Sequence, residues 1–376
     1  MSSDFNVVSI AQRLIQLPSL TPYDKGCLEY VTSLLTPLGF ECHRLDRGNT
    51  SNLYAKLDRG GKNICFAGHT DVVPVIDEKA WDSPPFAGHV NNGKLYGRGA
   101  VDMKGAIAAY IAAVPEIIKK HPQHSFSFLL TSDEEGDGYD GTVYALEELA
   151  KKKEKIDLCL VGEPTSVNEL GDTLLIGRRG SLNGVITING CAGHVAYPQN
   201  AQNPIPPMLE FLKSILSPLD QGHGLFEPSN LEITSIDVGN PTCNIIPPSI
   251  QARFNIRFNP SYTKTALEEW LYEKVESLTL HYDLSMKVSG EAFMGMTEEQ
   301  AAPLRQQIEE ITGKKVTLST RGGISDARFI KNVCPVFELG LKDTMAHQID
   351  EYTSLADLEE LTRIYASLFD KFLKTA

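Results

Sequence analysis

The 376-residue chain is short of basic side chains: 35 Lys and Arg stand against 48 Asp and Glu, for a formal net charge of −13. Such a surface repels a phosphate backbone or an anionic bilayer, which argues against nucleic acid and membrane as partners. No apolar run reaches membrane-spanning length. The opening residues, MSSDFNVVSI, lack the basic start and apolar core of a signal peptide. Cysteine is sparse and scattered. The seven (27, 42, 65, 159, 191, 243, 334) form no C-x-x-C pair, so neither a thiolate zinc site nor a disulfide frame is expected. They read as small, reduced, buried residues of a cytoplasmic protein. Internal repeats and low-complexity segments are absent as well.

What the chain does have is acid concentrated at one place. In SFSFLLTSDEEGDGYDGT, an apolar run from Phe126 to Leu130 opens onto Asp133, Glu134, Glu135, Asp137 and Asp140. Carboxylates this close repel one another, so the cluster is either hydrated or holds a cation. An isolated acidic run is usually a solvated turn. A calcium loop fits poorly, because Tyr144 stands where the bidentate glutamate belongs and the preceding segment reads as a strand. A catalytic metal site requires partners elsewhere in the chain.

The pattern along the chain supplies them. Phe5–Gln16, Gly26–Leu38, Gly105–Lys120 and Thr142–Lys153 have helical periodicity. NICFAGHTD, SFSFLL and IDLCLVGEP read as buried strands between them. Strands separated by helices imply an α/β fold with a mostly parallel sheet flanked by helices. From about Gly180 the order becomes β-α-β-β-α-β, the signature of a ferredoxin-like α+β sandwich. Helical patterns at 297–312 and 353–374, with a strand at CPVFELG, then resume the first pattern. The predicted organisation is one α/β domain formed by 1–179 and 292–376, interrupted by an inserted domain at 180–291.

Three of the apolar strands stop at candidate ligands: His69 and Asp71, then Glu134 and Glu135, then Glu163. The carboxyl ends of parallel strands share one edge, where ligands bind. Asp102, just before a helix, and His347 join the set. A donor set of His, Asp, Glu, Glu and His suits two borderline divalent ions with a bridging carboxylate. Singly, each is weak evidence. His69 alone reads as a structural histidine, Asp102 alone as a helix cap, and Asp71 as a residue that orients His69.

On these residues the chain resembles the co-catalytic zinc aminoacylases and exopeptidases. The resemblance runs nearly end to end, through FAGHTDVVPV, WDSPPFAGHVNNGKLYGRGAVDMKGAIAA, TSDEEGDGYDGT, VGEPT, IGRRGSLNG, GHVAYP and GNPTCNIIPPSIQARFNIRFN. It implies two Zn²⁺ per chain, with Co²⁺ or Mn²⁺ as possible occupants of the second site. His69 and Glu163 would bind one ion, Glu135 and His347 the other, and Asp102 both, with a cis peptide after it. Glu134 would be the general acid/base, and Asp71 would support His69. Asp133, Asp137 and Asp140 are then left as turn and capping residues.

The resemblance also implies that 180–291 is a lid and a homodimer interface. His194 would reach the partner's active site, and Arg178, Tyr197, Asn244, Arg257 and Ser325 would contact the substrate. RRGSLNG and GHVAYP point to the branch that removes succinyl from N-succinyl-diaminopimelate, a small anionic acylated diamino acid. A sister activity on acetylornithine or a dipeptide is the alternative. A non-catalytic binding protein is the remaining one, disfavoured by the complete ligand set. Three positions depart from the family pattern: Gln199 for His, Ile324 for Thr, and Asp343 for Asn.

Overall fold

A computed structural model describes residues 5–136, 138–276 and 278–374. The chain divides into two compact units. One comprises Met1–Ile176, Met294–Ser319 and Ser325–Ala376; the other comprises Gly177–Phe293 and Thr320–Ile324. The short Thr320–Ile324 segment of the second unit lies outside the 180–291 span expected from the periodicity.

The first unit is built on an eight-stranded sheet. Across it run Glu41–Arg44, Asn52–Leu57, Ser125–Thr131, Asn63–His69, Leu158–Val161, Val336–Glu338, Thr173–Leu175 and Thr317–Ser319. The four central strands after Asn52–Leu57 are mutually parallel. The flanking pairings are antiparallel: Asn52–Leu57 with Ser125–Thr131, and Val336–Glu338 with Thr173–Leu175. The alternation of helix and strand marked the central strands, whose apolar runs are buried on both faces. The outer strands are short or carry mixed sequences, so they give no comparable signal.

Helices cover the sheet because their apolar faces have nowhere else to go. Val7–Ile15 starts at Asn6, whose side chain accepts from Ser9 N at 2.9 Å, and it buries Val7, Ile10, Ala11, Leu14 and Ile15. Lys104–Lys120 reads GAIAAYIAA and is buried on nearly all sides, as a helix between a sheet and other helices should be. Its Tyr110 ring stacks on Phe66 of the central strand at 4.4 Å and meets Tyr365 edge-on at 5.6 Å. Sheet and two helices thus share one aromatic core.

The final helix is shorter than the 353–374 expected. It spans Leu355–Tyr365, opening on a Ser354 cap. Beyond it the chain turns, with N–H groups at 367, 368, 370 and 374 bonding three residues back. Lys120 Nζ terminates the helix by donating to Ala366 O at 3.1 Å and Ser367 Oγ at 2.6 Å. Among the described residues, no helix is long and apolar enough to cross a membrane.

The second unit has a four-stranded antiparallel sheet in the order Asn230–Asp237, Ser249–Phe258, Gly180–Asn189, Tyr282–Gly290. With the strands numbered by chain position this is 2-3-1-4, the split βαβ arrangement. Helices Ile205–Ile215 and Lys264–Val275 pack on one face, over Leu182, Ile186, Ile188, Ala252, Phe254 and Ile256. Alternation in both long central strands sends those residues inward.

Candidate metal centre

The parallel strands deliver the acids and imidazoles to one edge. His69 is the last residue of Asn63–His69; Glu134 and Glu135 follow Ser125–Thr131; Glu163 follows Leu158–Val161. Asp102 arrives from a loop that ends at the Lys104–Lys120 helix, and the Asp102–Met103 peptide is cis. Two glycines make room for that loop. A Cβ on Gly68 would lie 2.5 Å from the Met103 methyl, and one on Gly162 would lie 2.7 Å from the same atom. The small residues before His69 and before Glu163 therefore let Met103 seat between the strand ends and bring Asp102 over them.

The resulting geometry centres on Asp102. Its Oδ1 lies 3.0 Å from His69 Nε2, and its Oδ2 lies 3.3 Å from His347 Nε2. Glu163 Oε1 is 3.6 Å from His69 Nε2, and Glu135 Oε1 is 2.9 Å from His347 Nε2. Donor atoms of His69, Asp102 and Glu135 lie within 4.8 Å of one another, as do those of His69, Glu134 and Glu163. One carboxylate thus faces two imidazoles, each of which also faces a glutamate.

Asp71 is wholly buried. The His69 ring is oriented mainly by its backbone: Nδ1 is 2.8 Å from Asp71 O and 3.6 Å from Asp71 Oδ1. The carboxylate has a further task. It accepts from Glu134 N at 3.3 Å and Glu135 N at 3.1 Å, and so fixes the turn that carries both glutamates. Asp133 folds the same loop, with its carboxyl taking the N–H groups of Gly138 and Asp140, while Asp140 pairs with Arg47 at 3.1 Å. Asp137 lies outside the described residues.

The electrostatics are those of crowded acids. Burial raises the proton affinity of Glu134, and the neighbouring Glu163 adds to the effect, so its carboxyl sits well above the ordinary range. Burial also opposes charge on Asp102, but hydrogen bonds from His347 and His69 outweigh it and hold that carboxyl low. Bonds to Asp102 and Glu135 push His347 up to about 10. His69 is penalised by burial, yet Asp102 and Asp71 carry it well above its usual value. Carboxylates this close demand positive charge among them. Divalent cations between the same atoms would meet that demand. Two histidines and three carboxylates, with one carboxylate placed to bridge, fit a pair of zinc-like ions.

The other expected residues fall elsewhere. Ser325 is fully buried and donates to Glu338 Oε1 at 2.9 Å, so its hydroxyl supports the core rather than facing solvent. In the second unit, His194 lies exposed in a short bridge opposite Ile245, and its Nδ1 accepts from Ala196 N at 3.0 Å. Tyr197 is exposed 5.7 Å from the His194 ring, and Asn244 sits in the turn just before the neighbouring strand Ile245–Ile246, its carbonyl accepting from Val195 N. Arg178 is buried and donates to Gly323 O at 3.0 Å. Arg257 is half-buried, with the like charges of Arg179 and Arg178 near enough to join burial in lowering its proton affinity.

A model of peptidase family M20/M25/M40 matches residues 65–371. The chain belongs to that family. A succinyl-diaminopimelate desuccinylase from Maricaulis maris is 46% identical over 381 residues, covering 100% of this chain and 98% of that protein. One from Ehrlichia chaffeensis is 46% identical over 371 residues, with 97% of each chain covered. Among solved structures, an M20 family metallo-carboxypeptidase from Sulfolobus solfataricus superposes with a TM-score of 0.81 at 14% identity, covering 99% of both chains. A dinuclear metal binding peptidase of the same family from Bacillus subtilis gives 0.71 at 14%, covering 98% of both. At those identities the structures speak to the fold alone.

Sequence reasoning missed several supports of this M20 centre. Glu351 is fully buried and accepts from the backbone of the Asp102 loop, and Arg98 pairs with it. Asp326 is buried, and its Oδ2 takes Thr142 Oγ1 at 2.5 Å, tying down the far end of the acidic loop. Burial raises the Asp326 carboxyl to about 6. Nothing in the local pattern distinguishes these acids from surface ones; only their burial does.

Proposed function

We propose that this chain is a dinuclear zinc amidohydrolase that converts N-succinyl-LL-2,6-diaminopimelate and water to LL-2,6-diaminopimelate and succinate. The observation that carries the reading is Asp102, with one oxygen on each histidine, in a chain 46% identical end to end to named desuccinylases. His69 and Glu163 would hold one ion and Glu135 and His347 the other, with Asp102 between them. When bound, such ions acidify water and polarise the amide carbonyl.

The chain's own groups handle the protons. Glu134 stands beside Glu163 and His69. Its raised proton affinity suits a group that takes a proton from water and returns it to the leaving nitrogen. The water oxygen forms the new bond to the succinyl carbon, the C–N bond breaks, and the amine departs with the proton Glu134 held. Asp71 keeps Glu134 aligned by fixing its backbone N–H.

The inserted unit is read as lid and dimer interface. The exposed His194 would serve the oxyanion in the other protomer's site. Arg178 and Arg257, with Tyr197 and Asn244, would bind the substrate carboxylates, to which the planar guanidinium is matched. The protein is read as cytoplasmic. Asp343, close in sequence to His347, favours a substrate bearing a free ammonium group, as diaminopimelate does. The sister reading, acetylornithine or dipeptide hydrolysis, is tested against it by comparing kcat/KM across acylated amino acids on zinc-loaded protein. A preference for acetylornithine would overturn the assignment and leave the hydrolase standing.

A further inference from the structure

We propose that the Glu351–Arg98 pair is a clasp that sets the spacing of Asp102 and His347, and thereby holds the metal on the Glu135 side of the centre. The inference rests on the two-metal reading above and adds a positioning role to residues that touch no metal.

The clasp starts from a shared strand pair. Lys94–Tyr96 and Tyr352–Ser354 run antiparallel, with Tyr96 opposite Tyr352. One strand leads into the loop that ends at Asp102; the other follows directly from the loop that begins at His347. Gly97 N donates to Glu351 O at 2.8 Å, continuing the pairing past the strand ends. The fully buried Glu351 carboxylate then fastens the first loop. Its Oε1 accepts from Val101 N at 2.8 Å and Asp102 N at 3.3 Å; its Oε2 accepts from Gly99 N at 3.1 Å and Arg98 Nη1 at 2.9 Å. The same Arg98 nitrogen donates to Gln348 O at 3.2 Å, beside His347. The guanidinium lies over the Trp81 ring at 5.2 Å, which fixes its plane.

The two sides of the centre therefore depend on different supports. His69 and Glu163 end or directly follow sheet strands and are buried. His347 belongs to a loop, is half-exposed, and has φ of 63°, with Asp350 at 55°. That backbone region is uncommon for residues other than glycine. Four donors converge on Glu351, and a carboxylate can accept all of them. Glutamine cannot, because its NH₂ would oppose two of the donors.

The test is a cobalt titration of metal-free protein, followed by visible absorption, for the parent chain, Glu351→Gln and Arg98→Lys. The parent should take two equivalents. For Glu351→Gln the first equivalent should bind within about threefold of the parent and the second at least about tenfold more weakly, the scale seen when a group behind a ligand is removed. Arg98→Lys keeps the charge but loses the fork, and should weaken the second equivalent in the same sense. It carries the test if Glu351→Gln does not fold. Equal weakening of both equivalents would make the pair a general stabiliser and overturn the proposal, as would two unchanged equivalents. A parent chain that takes fewer than two would instead overturn the two-metal reading itself.

Discussion

Replacing Asp71 by Asn isolates one structural element of the proposed chemistry. The Asp71 carboxylate binds no imidazole at hydrogen-bond distance through its side chain; it accepts from Glu134 N and Glu135 N. Asparagine keeps one oxygen and turns an NH₂ toward the other N–H. At least one charge-assisted bond is lost, and a buried donor is left facing another donor. A hydrogen bond to a charged group contributes about 1.5–3 kcal/mol, and the orphaned N–H costs about 1–3 kcal/mol more. Only part of that reaches the transition state, since the turn is also held by Asp133 and by Thr142 on Asp326. If about 2–4 kcal/mol is expressed there, kcat falls by about 30- to 1000-fold at 1.36 kcal/mol per tenfold. Because Asp71 faces no substrate group in this reading, KM should stay within about threefold of the parent value, as for loss of an interaction made in the transition state. The assay is steady-state succinate release on protein whose zinc content is measured in the same sample. A kcat within about twofold of the parent at equal zinc would refute the argument that this turn positions the acid/base, because even one half-expressed bond exceeds that factor.

Other substitutions probe separate parts of the account. Glu134→Gln should retain zinc while kcat drops by at least ~10²–10⁴, the range for acid–base groups; near-normal turnover would mean the wrong glutamate has been assigned. His194→Ala and Glu134→Gln chains should each be inactive alone, and subunit exchange should restore one site of two; no recovery after verified exchange would refute the in-trans role. Gly162→Ala places a Cβ 2.7 Å from the Met103 methyl and 2.6 Å from the Phe66 ring. Overpacking of that kind costs about 1–3 kcal/mol, so a lower Tm with weakened zinc binding is expected, and an unchanged Tm would show that the seat is looser than it looks. Ile324→Thr should lower KM for succinyl-diaminopimelate with kcat roughly kept, and Asp343→Asn should raise it by removing the partner of the substrate ammonium; unchanged kcat/KM for every substrate in both variants would mean that neither residue faces the substrate.

The cluster of candidate ligands was legible because strand ends announce themselves. Long apolar runs that stop at His69, Glu134, Glu135 and Glu163 can be read without coordinates, and parallel order brings such ends together. The helices were legible for a similar reason, although their ends moved by a few residues and the last stops at Tyr365, where Lys120 takes the terminal carbonyl. Short strands such as Glu41–Arg44 and Thr317–Ser319 were not legible, since pairing rather than pattern makes them strands. The supports were hidden for a different reason. Glu351 and Asp326 are ordinary acids in sequence, and their importance comes from burial against backbone donors or a hydroxyl more than a hundred residues away. Ser325 shows the converse: its motif suggested a substrate contact, and the fold gives its hydroxyl to Glu338.

The central claim is that two metal ions on these ligands enable Glu134 to cleave a succinyl amide. It is tested most directly by following succinate release from N-succinyl-LL-2,6-diaminopimelate as zinc is titrated into metal-free protein. The account predicts turnover that rises as zinc approaches two per chain and disappears on adding a strong chelator. Two bound zinc ions without succinate release, or release that persists in chelator, would contradict it.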